Sequence, residues 1–258
     1  MQKEDIKFLD STVFEGMTSI RAIIKANECG FNDRKIEKIL FDKEKLNKIH
    51  KEIGYLKAIS SKMGFEVIES DAESLNEITL GASHGGIVAI TGDRTLPCLS
   101  SDTEIEPDGF YAMIQGIEDP YNFGYSLRSL YATGCSGIIL PPRNWMSAAG
   151  VVARSSAGAS EMFKIYKSDP LEAAKFFKAK GYKIVCADER TDNILGECEL
   201  KTPLLLIVGG EKRGISKALF DEADTLVKIN YAREFKASLS AASATTMFAY
   251  EIMRQNTK

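Results

Sequence analysis

Polar and glycine residues follow three apolar segments of the sequence, at the points where strands would end. In "DPYNFGYSLRS", Asn122 and Arg128 come after the apolar segment 111–117. In "LLLIVGGEKRGIS", an apolar run leads directly into Gly209 and Gly210. The third segment, "NYAREFKASLS", precedes a stretch rich in Ala, Ser and Thr. Because ligands bind at the carboxyl ends of parallel strands, we expect these three segments to meet at one site.

The residue types in these segments suit the binding of an anionic or hydroxyl-bearing ligand. Glycines let a ligand approach the backbone, because no Cβ intervenes. An arginine stays protonated and can stabilise a developing oxyanion or bind a phosphate. The patterns GxxxxGK[ST], GxGxxG and GxSxG are all absent from these segments. These segments therefore do not favour a phosphate-loop enzyme, a dinucleotide-dependent dehydrogenase or a serine hydrolase.

Each of these residues also has a purely structural interpretation. Asn122 is a preferred type of helix N-cap, and Arg128 could be a solvated helix residue. A glutamate such as Glu211 is stabilised at a helix start by the helix dipole. Small residues in the third segment could simply permit close packing of helices. Taken one at a time, the residues leave both interpretations open.

The first 92 residues alternate helix-like and strand-like patterns. Thr18 or Ser19 can cap a helix over "SIRAIIKANECG" that ends at Gly30. "IEKILFD" predicts a strand, and "KLNKIHKEIGYLKAISSKMG" predicts a helix that ends at Gly64. "FEVIES" and "GIVAITG" predict two further strands around a short helix at "DAESLNEI". We therefore predict a small α/β domain over residues 1–92.

A segment rich in Gly, Pro, Ser and acidic residues follows and predicts a linker over residues 93–108. Residues 109–258 then carry stronger strand patterns: "YAMIQGI", "SGIILPP", "FKIYKS", "YKIVCAD", "LLLIVGG" and "TLVKINY". Helical patterns such as "DPLEAAKFFKAKG" lie between most of them. Continuous apolar strands flanked by helices predict an α/β domain whose parallel sheet is covered on both faces.

Composition indicates a globular protein without a membrane or metal partner. The chain has 258 residues, of which 44% are hydrophobic and 27% charged, and this balance is ordinary for soluble domains. No apolar run is long enough to span a bilayer, and acidic residues interrupt the N-terminal segment, unlike a signal peptide. Five scattered cysteines without a CxxC pair favour reduced thiols and a cytoplasmic location. His50 and His84 lack neighbouring ligands at metal-binding spacing, so no metal is expected.

Taken in order, the three segments resemble the motifs of the SpoU (TrmH-like) branch of the SPOUT RNA methyltransferases. "NFGYSLRS" matches the first motif, Asn-x-Gly followed by Arg-[Ser/Thr], at Asn122, Gly124, Arg128 and Ser129. "LIVGGEKRG" matches the second, Gly-x-Glu-x-x-Gly, at Gly209, Glu211 and Gly214. The third is Ser-Leu-Asn before an alanine- and serine-rich helix, and the chain has Ser238, Leu239 and, in place of Asn, Ser240. "ARSSAGASE" resembles the family's loop between the first two motifs.

The N-terminal part is similar to the substrate-binding module of larger family members, which is related to ribosomal proteins that bind kinked RNA. Its segment "SHGGIVAITG" resembles the final strand of that module. The resemblance implies methylation of a ribose 2′-hydroxyl in structured RNA with S-adenosyl-L-methionine (AdoMet) as cofactor. Large-subunit ribosomal RNA is the favoured substrate. The implied architecture is a parallel sheet with a C-terminal trefoil knot, in a homodimer whose active sites draw on both subunits.

The resemblance also implies roles for individual residues. The implied catalytic set, in which Arg128 stabilises the developing alkoxide, is Arg128, Asn122, Glu211 and Ser238. The implied cofactor pocket contains Gly209, Gly210, Ile229, Leu239 and Ser240. RNA contacts are expected from Arg154, Lys212, Arg213 and Arg233.

The net charge of −3 argues only weakly against an RNA partner. Basic residues gather in the N-terminal part, at Arg34, Lys35, Lys38, Lys43, Lys45 and Lys48. They could form a basic face, or they could be scattered solvated charges. Three alternatives stay open on sequence alone: methylation of transfer RNA, methylation of a base, and RNA binding without catalysis. A titration with AdoMet would separate the last of these from an enzyme.

Overall fold

The computed structural model describes residues 12–79, 84–117, 119–142, 144–210, 214–235 and 237–257. Its contacts divide the chain into two compact units. The first unit contains the chain up to Thr95 together with Trp145–Met162, and the second contains Leu96–Asn144 and Phe163–Lys258. The predicted boundaries, with domains at 1–92 and 109–258, stay predictions, although residues 145–162 group here with the first unit.

The described residues form ten strands and nine α-helices. The strands are β1 (Val13–Glu15), β2 (Ile36–Asp42), β3 (Glu66–Ser70), β4 (Ile87–Thr91), β5 (Phe110–Ile114), β6 (Gly137–Leu140), β7 (Lys164–Lys167), β8 (Lys183–Ala187), β9 (Leu204–Val208) and β10 (Thr225–Val227). The helices are α1 (Gly16–Glu28), α2 (Leu46–Met63), α3 (Ala72–Ile78), α4 (Pro120–Ala132), α5 (Ala149–Ser155), α6 (Ala159–Met162), α7 (Pro170–Ala179), α8 (Lys217–Glu222) and α9 (Ala241–Asn256).

The first unit is built on a four-stranded sheet in the order β1-β4-β2-β3. Strand β4 pairs antiparallel with β1 and β2, whereas β2 and β3 are parallel. Helix α2 ends at Gly64, which adopts the predicted left-handed conformation (φ +77°). The predicted cap of α1 is wrong, because the helix begins at Gly16, before Thr18 and Ser19. Glu15 precedes it without a side-chain capping bond, since β1 leads directly into the helix.

Residues 145–162 pack closely on this sheet and on α1. A Cβ added to Gly150 would overlap the carbonyl oxygen of Val13, so α5 lies directly against the backbone of β1. Gly158 likewise has no room for a side chain beside Ala22 in α1. Because glycine has no side chain, Gly150 lets α5 approach β1 and Gly158 lets the chain approach α1. Residues 145–162 therefore pack as part of the first unit.

A buried ion pair joins the two chain segments of the first unit. Nε of Arg34 donates to Oε2 of Glu161 at 3.0 Å, and the two side chains are only 3% and 0% exposed. The same carboxylate accepts a hydrogen bond from Asn32, and Arg34 also donates to the Gly92 carbonyl. Arg34 was expected among the basic residues of an RNA-binding face. The structure corrects this, because a guanidinium buried against Glu161 cannot reach a phosphate.

The second unit contains a six-stranded sheet in the order β10-β8-β9-β5-β6-β7, with every pair parallel. The strand order reverses between β5 and β9, which makes their carboxyl ends a topological switch point. Tyr111, Phe177 and Tyr182 pack on one face with ring centroids 5.0–5.8 Å apart. Helices α4 and α9 pack together, and α9 contacts β9. The predicted fold class is confirmed, while the knot stays a prediction.

The segment predicted as a linker is packed rather than free where it reaches β7. Leu99 donates its N–H to the Lys167 carbonyl, and the Lys167 N–H donates to the Pro97 carbonyl. Within the described ranges, no helix combines the length and apolar character needed to cross a bilayer.

The buried ion pair gives the first prediction. Glu161→Gln keeps the side-chain shape but removes the counter-ion of Arg34, so the free energy of unfolding should fall by about 3 kcal/mol. In the double variant Arg34→Met/Glu161→Gln the loss should be smaller than the sum of the single losses, because neither charge remains buried alone. Urea denaturation measures both. Removing the exposed ion pair Lys175–Glu172 is the control and should change the free energy of unfolding little. Equal losses for the buried and the exposed pair would contradict the stabilising role of the Arg34–Glu161 pair.

Candidate functional site

A cleft of about 770 Å³ opens at the carboxyl ends of β8, β9 and β10. It lies within the second unit and has the size of a small-molecule site. Its walls are formed by residues 187–190, 208–210, 214–215, 227–231 and 237–239, with the first turns of α9 behind them. The parallel sheet thus brings the second and third sequence segments together, as predicted.

Glycines form the most constrained part of the cleft. A Cβ on Gly209 would lie 2.6 Å from the carbonyl carbon of Gly214, and one on Gly210 would overlap the Gly116 carbonyl oxygen. The Gly214 N–H donates to the Gly210 carbonyl at 3.0 Å, so a backbone hydrogen bond joins these two glycines. Backbone thus packs on backbone at the end of β9. A ligand in the cleft meets peptide groups there rather than side chains.

A carboxylate and a guanidinium stand on the β8 side of the cleft. The Asp188 carboxylate accepts two side-chain hydrogen bonds from Arg190, both 2.8 Å long, and one from its backbone N–H. These bonds from Arg190 lower the pKa of Asp188 from its ordinary value, against the opposing effect of burial. The Arg190 guanidinium lies 4.6 Å from the centroid of the Phe220 ring. The Asp188 side chain is 6% exposed, and its hydrogen bonds to Arg190 hold it as a carboxylate at the cleft wall.

Sequence reasoning missed this pair. An Asp and an Arg two residues apart are common in surface turns, and nothing in "CADERTD" distinguishes them by composition. The available signal was their position, directly after the apolar strand β8 in a parallel sheet.

Aromatic residues form the opposite wall of the cleft. The Leu239 N–H donates to the hydroxyl of Tyr231 at 3.2 Å, and the Tyr231 and Phe235 rings are 6.0 Å apart. Phe235 is 58% exposed, so the wall offers an accessible aromatic surface. Arg233 lies between them at the cleft, and its side chain makes no ion pair with a described residue. Its charge is available to an anionic ligand.

The predicted site residues of the second and third segments divide into three groups. The cleft is lined by Gly209, Gly210, Ile229, Arg233, Ser238 and Leu239. Glu211, Lys212 and Arg213 lie outside the described residues. Ser240 caps α9, and its hydroxyl accepts a hydrogen bond from the Ser243 N–H at 3.1 Å. Serine and asparagine are both strong N-cap residues. Ser240, predicted to bind the cofactor, is not among the described residues that line the cleft.

The first segment forms the start of α4. Its N-cap is Asp119, which accepts hydrogen bonds from the backbone N–H and the side-chain amide of Asn122 at 2.8 and 2.7 Å. Asn122 is therefore not the cap but the residue that orients it. Arg128 projects from the same helix, is exposed and makes no hydrogen bond or ion pair with a described residue. It is not among the described residues that line the cleft of its own chain.

Helix α4, which carries Arg128, and its neighbour α9 both expose large apolar side chains. The two helices are joined by a 2.7 Å hydrogen bond between Ser129 and Thr246. The exposed apolar residues, between 42% and 56% accessible, are Tyr121, Tyr125, Tyr131, Met247 and Tyr250. Their spacing places them along the outer side of each helix. We call this surface the α4–α9 face.

Arg154, predicted to bind RNA, belongs to the first unit and is already engaged. Its guanidinium donates to the Glu15 carboxylate at 2.6 Å, and the side chain is 38% exposed. This ion pair partly neutralises its charge. The role of Arg154 in RNA binding stays a prediction. Across the described ranges, no cluster of three or more His, Cys, Asp or Glu side chains could hold a metal ion.

Comparisons with known proteins agree with this architecture. The SpoU rRNA Methylase family profile matches residues 109–250, which contain all three motifs. The 23S rRNA (guanosine-2′-O-)-methyltransferase RlmB of Shewanella oneidensis is 28% identical over 262 residues, covering 99% of each chain. The structure of an AdoMet-bound rRNA methyltransferase from Sinorhizobium meliloti superposes with a TM-score of 0.77 at 23% identity, covering 94% of this chain and 87% of that one. The AdoMet complex of the SpoU methyltransferase AviRb from Streptomyces viridochromogenes superposes with a TM-score of 0.74 at 22% identity, covering 94% of this chain and 89% of that one.

The packing of Gly209 gives the second prediction. Gly209→Ala forces a Cβ into the Gly214 backbone, which must shift to make room, so the variant should lose about 1–3 kcal/mol of stability. Gly54→Ala is the matched control: Gly54 lies inside α2 with no atom within 4 Å of an added Cβ. It should be neutral or stabilising by up to about 1 kcal/mol. Thermal unfolding of both variants measures the difference, and equal melting temperatures would refute the tight packing.

Proposed function

The chain belongs to the SpoU rRNA methylase family, and we propose that it transfers a methyl group from AdoMet to a ribose 2′-hydroxyl of large-subunit ribosomal RNA. The observation that carries the proposal is the glycine-lined cleft at the carboxyl edge of the parallel sheet. The relative from Shewanella oneidensis, which aligns along its whole length, is named as a methyltransferase of a guanosine in 23S rRNA. This favours ribosomal over transfer RNA as the substrate.

The cleft residues fit AdoMet as the cofactor. Gly209 and Gly210 leave room for a ligand against the backbone, and Ile229 and Leu239 add apolar contacts. Asp188 offers a fixed carboxylate to hydroxyl or ammonium groups. AdoMet would supply an electrophilic methyl group on its sulfonium. The chain's own task is to hold the reacting atoms in line, which can contribute about 7–11 kcal/mol in well-oriented reactions.

Arg128 is the residue that we assign to the 2′-hydroxyl. A guanidinium remains charged, so it stabilises the alkoxide that forms as the hydroxyl loses its proton, rather than removing the proton itself. The proton passes to a phosphate oxygen of the RNA that Arg128 orients. Asn122 supports it by fixing the Asp119 cap of the same helix. Ser238 stands at the rim of the cleft, where the target nucleotide would enter. Glu211 is assigned by its motif position alone.

We further propose a homodimer in which Arg128 serves the cleft of the partner subunit. Five large apolar side chains on the α4–α9 face are exposed in the single chain, which is an unusual surface for a monomer. Arg128 lies among them and away from the cleft residues of its own chain. A second copy covering this face would bury the tyrosines and bring each arginine to the other subunit's site.

RNA contacts near the site are assigned to Arg233, Lys212 and Arg213, with Arg154 as a further candidate in the first unit. Arg233 lies at the cleft and has no ion-pair partner among the described residues, so its charge can contact a phosphate. We place the reaction in the cytoplasm, since all five cysteines are free thiols, as a reducing compartment favours.

The assignment of Arg128 is tested by kinetics. Arg128→Ala should lower kcat by about 10²- to 10³-fold, the cost of losing one oxyanion-stabilising donor, while the Kd for AdoMet is unchanged. Arg128→Lys keeps the charge but loses the planar donor fork, so its kcat should be intermediate. Transfer of tritium from labelled AdoMet to ribosomal RNA measures kcat, and calorimetry measures cofactor binding. Wild-type turnover in Arg128→Ala, or parallel loss of both quantities, would overturn the role.

Mixed dimers test which cleft Arg128 serves. Leu239→Glu should block the cofactor cleft while leaving Arg128 in place. A dimer of one Arg128→Ala chain and one Leu239→Glu chain then has a working site only if arginines act across the interface. We expect each homodimer to be inactive and the co-expressed, doubly tagged heterodimer to recover up to about half of wild-type activity, from one intact site of two. An inactive heterodimer that still binds AdoMet would show that Arg128 acts within its own chain.

A further inference from the structure

The exposed side of α2 carries a line of lysines with a tyrosine between them. Lys48, Lys51, Tyr55 and Lys62 are all exposed, and their spacing of three, four and seven residues places them on one face of the helix. We call these four residues the α2 stripe. The whole helix contains four lysines and one glutamate, so its outer face is strongly positive.

The cations of the α2 stripe are not used to hold the first unit together. The side chains of Lys48, Lys51 and Lys62 make no ion pair or hydrogen bond with any described residue. Two other basic residues of this unit are engaged: Arg34 is buried against Glu161, and Lys45 lies 3.7 Å from the Asp42 carboxylate. The α2 stripe thus places three ammonium groups without a partner among the described residues on the same helix face as Tyr55.

Tyr55 presents an accessible aromatic surface beside a further cation. Its side chain is 40% exposed, and the Arg21 guanidinium from α1 lies 5.8 Å from the ring centroid. Arg21 has no ion-pair partner among the described residues. An exposed tyrosine next to a free guanidinium combines the two groups on which unpaired bases stack in RNA-binding proteins.

We propose that the α2 stripe, with Arg21, is an RNA-binding site in which an unpaired base stacks on Tyr55 and the adjoining phosphates contact the lysines. The proposal rests on the proposed function, since it names a surface of the first unit that holds the RNA substrate. Lys48 and Lys62 are separated by about 21 Å along the helix axis, at 1.5 Å per residue, so the stripe can follow several nucleotides of one strand.

The aromatic residue favours unpaired RNA over the other polyanions that a basic surface could bind. A regular duplex is recognised through its phosphates and 2′-hydroxyls and keeps its bases stacked inside, so Tyr55 would contribute little. An acidic protein segment would form ion pairs with the lysines, but the Tyr55 ring would add little to its affinity. The stripe therefore predicts a preference for RNA with unpaired bases over a duplex of equal length.

Fluorescence anisotropy with two labelled RNA probes tests this site: a hairpin with an unpaired loop, and a fully paired duplex of the same length. Tyr55→Ala should weaken binding of the full-length protein to the hairpin about tenfold and leave duplex binding unchanged. Tyr55→Phe keeps the ring and should retain wild-type affinity. The triple variant Lys48→Gln/Lys51→Gln/Lys62→Gln should reduce the slope of log affinity against log salt by about 2. Lys57→Gln, on the side of α2 where the ammonium lies 5.7 Å from the Phe41 ring, is the control and should change neither quantity.

A second readout separates this proposal from the proposed function. For methyl transfer to deproteinised large-subunit ribosomal RNA, the stripe variants should raise KM about tenfold with kcat and AdoMet affinity unchanged. Unchanged hairpin binding and unchanged KM in both Tyr55→Ala and the lysine variant would overturn the RNA site. Displacement of the protein from the hairpin by polyglutamate at equal charge concentration would instead indicate an acidic protein partner and also overturn it. Absence of AdoMet binding and methyl transfer in the wild type would count against the proposed function itself.

Discussion

The close approach of backbone to backbone at the end of β9 is the constraint on which the site depends. Gly209 packs against Gly214, and Gly210 packs against Gly116 at the end of β5, with no space for a Cβ at either position. Both contacts lie at the switch point of the parallel sheet, where strand order reverses. Glycine at these positions lets the backbone after β9 approach Gly214 and Gly116 this closely, and Gly209, Gly210 and Gly214 all line the cleft.

The rest of the site is arranged around this narrow point. Asp188 is fixed on the β8 side by Arg190, and Tyr231 holds the backbone of Leu239 on the other side. The walls are therefore held by hydrogen bonds within the protein before any ligand binds, which lowers the cost of ordering them on binding. Arg128, the cation that we propose for the target hydroxyl, is not among the described residues that line the cleft of its own chain and lies instead on the α4–α9 face.

Most regular elements followed from the sequence because their patterns are local. The apolar run of β9 and the glycine that ends α2 each specify their structure without help from the rest of the chain. Gly209, Ile229 and Leu239 were placed at the cofactor pocket through family motifs, and the structure brings them to one cleft. The start of α1 was misjudged, since it depends on β1 running straight into the helix.

Other features could not be predicted because they depend on distant partners. Arg34 carries a charge that typically faces solvent, and its burial arises only because Glu161, 127 residues away, packs against it. The roles of Asp188 and Arg190 depend on where β8 lies in the sheet, which composition does not reveal. The α4–α9 face likewise requires two helices, separated by more than a hundred residues, to lie side by side.

The central claim is that this cleft delivers a methyl group to a ribose oxygen of ribosomal RNA. It is tested most directly by incubating the protein with AdoMet bearing a trideuterated methyl group and unmodified large-subunit ribosomal RNA, digesting the RNA to nucleosides and locating the label by mass spectrometry. We predict a single labelled 2′-O-methylnucleoside whose phosphodiester linkage resists alkaline cleavage in the intact RNA. Label on a base, or no transfer by protein that binds AdoMet, would contradict the account.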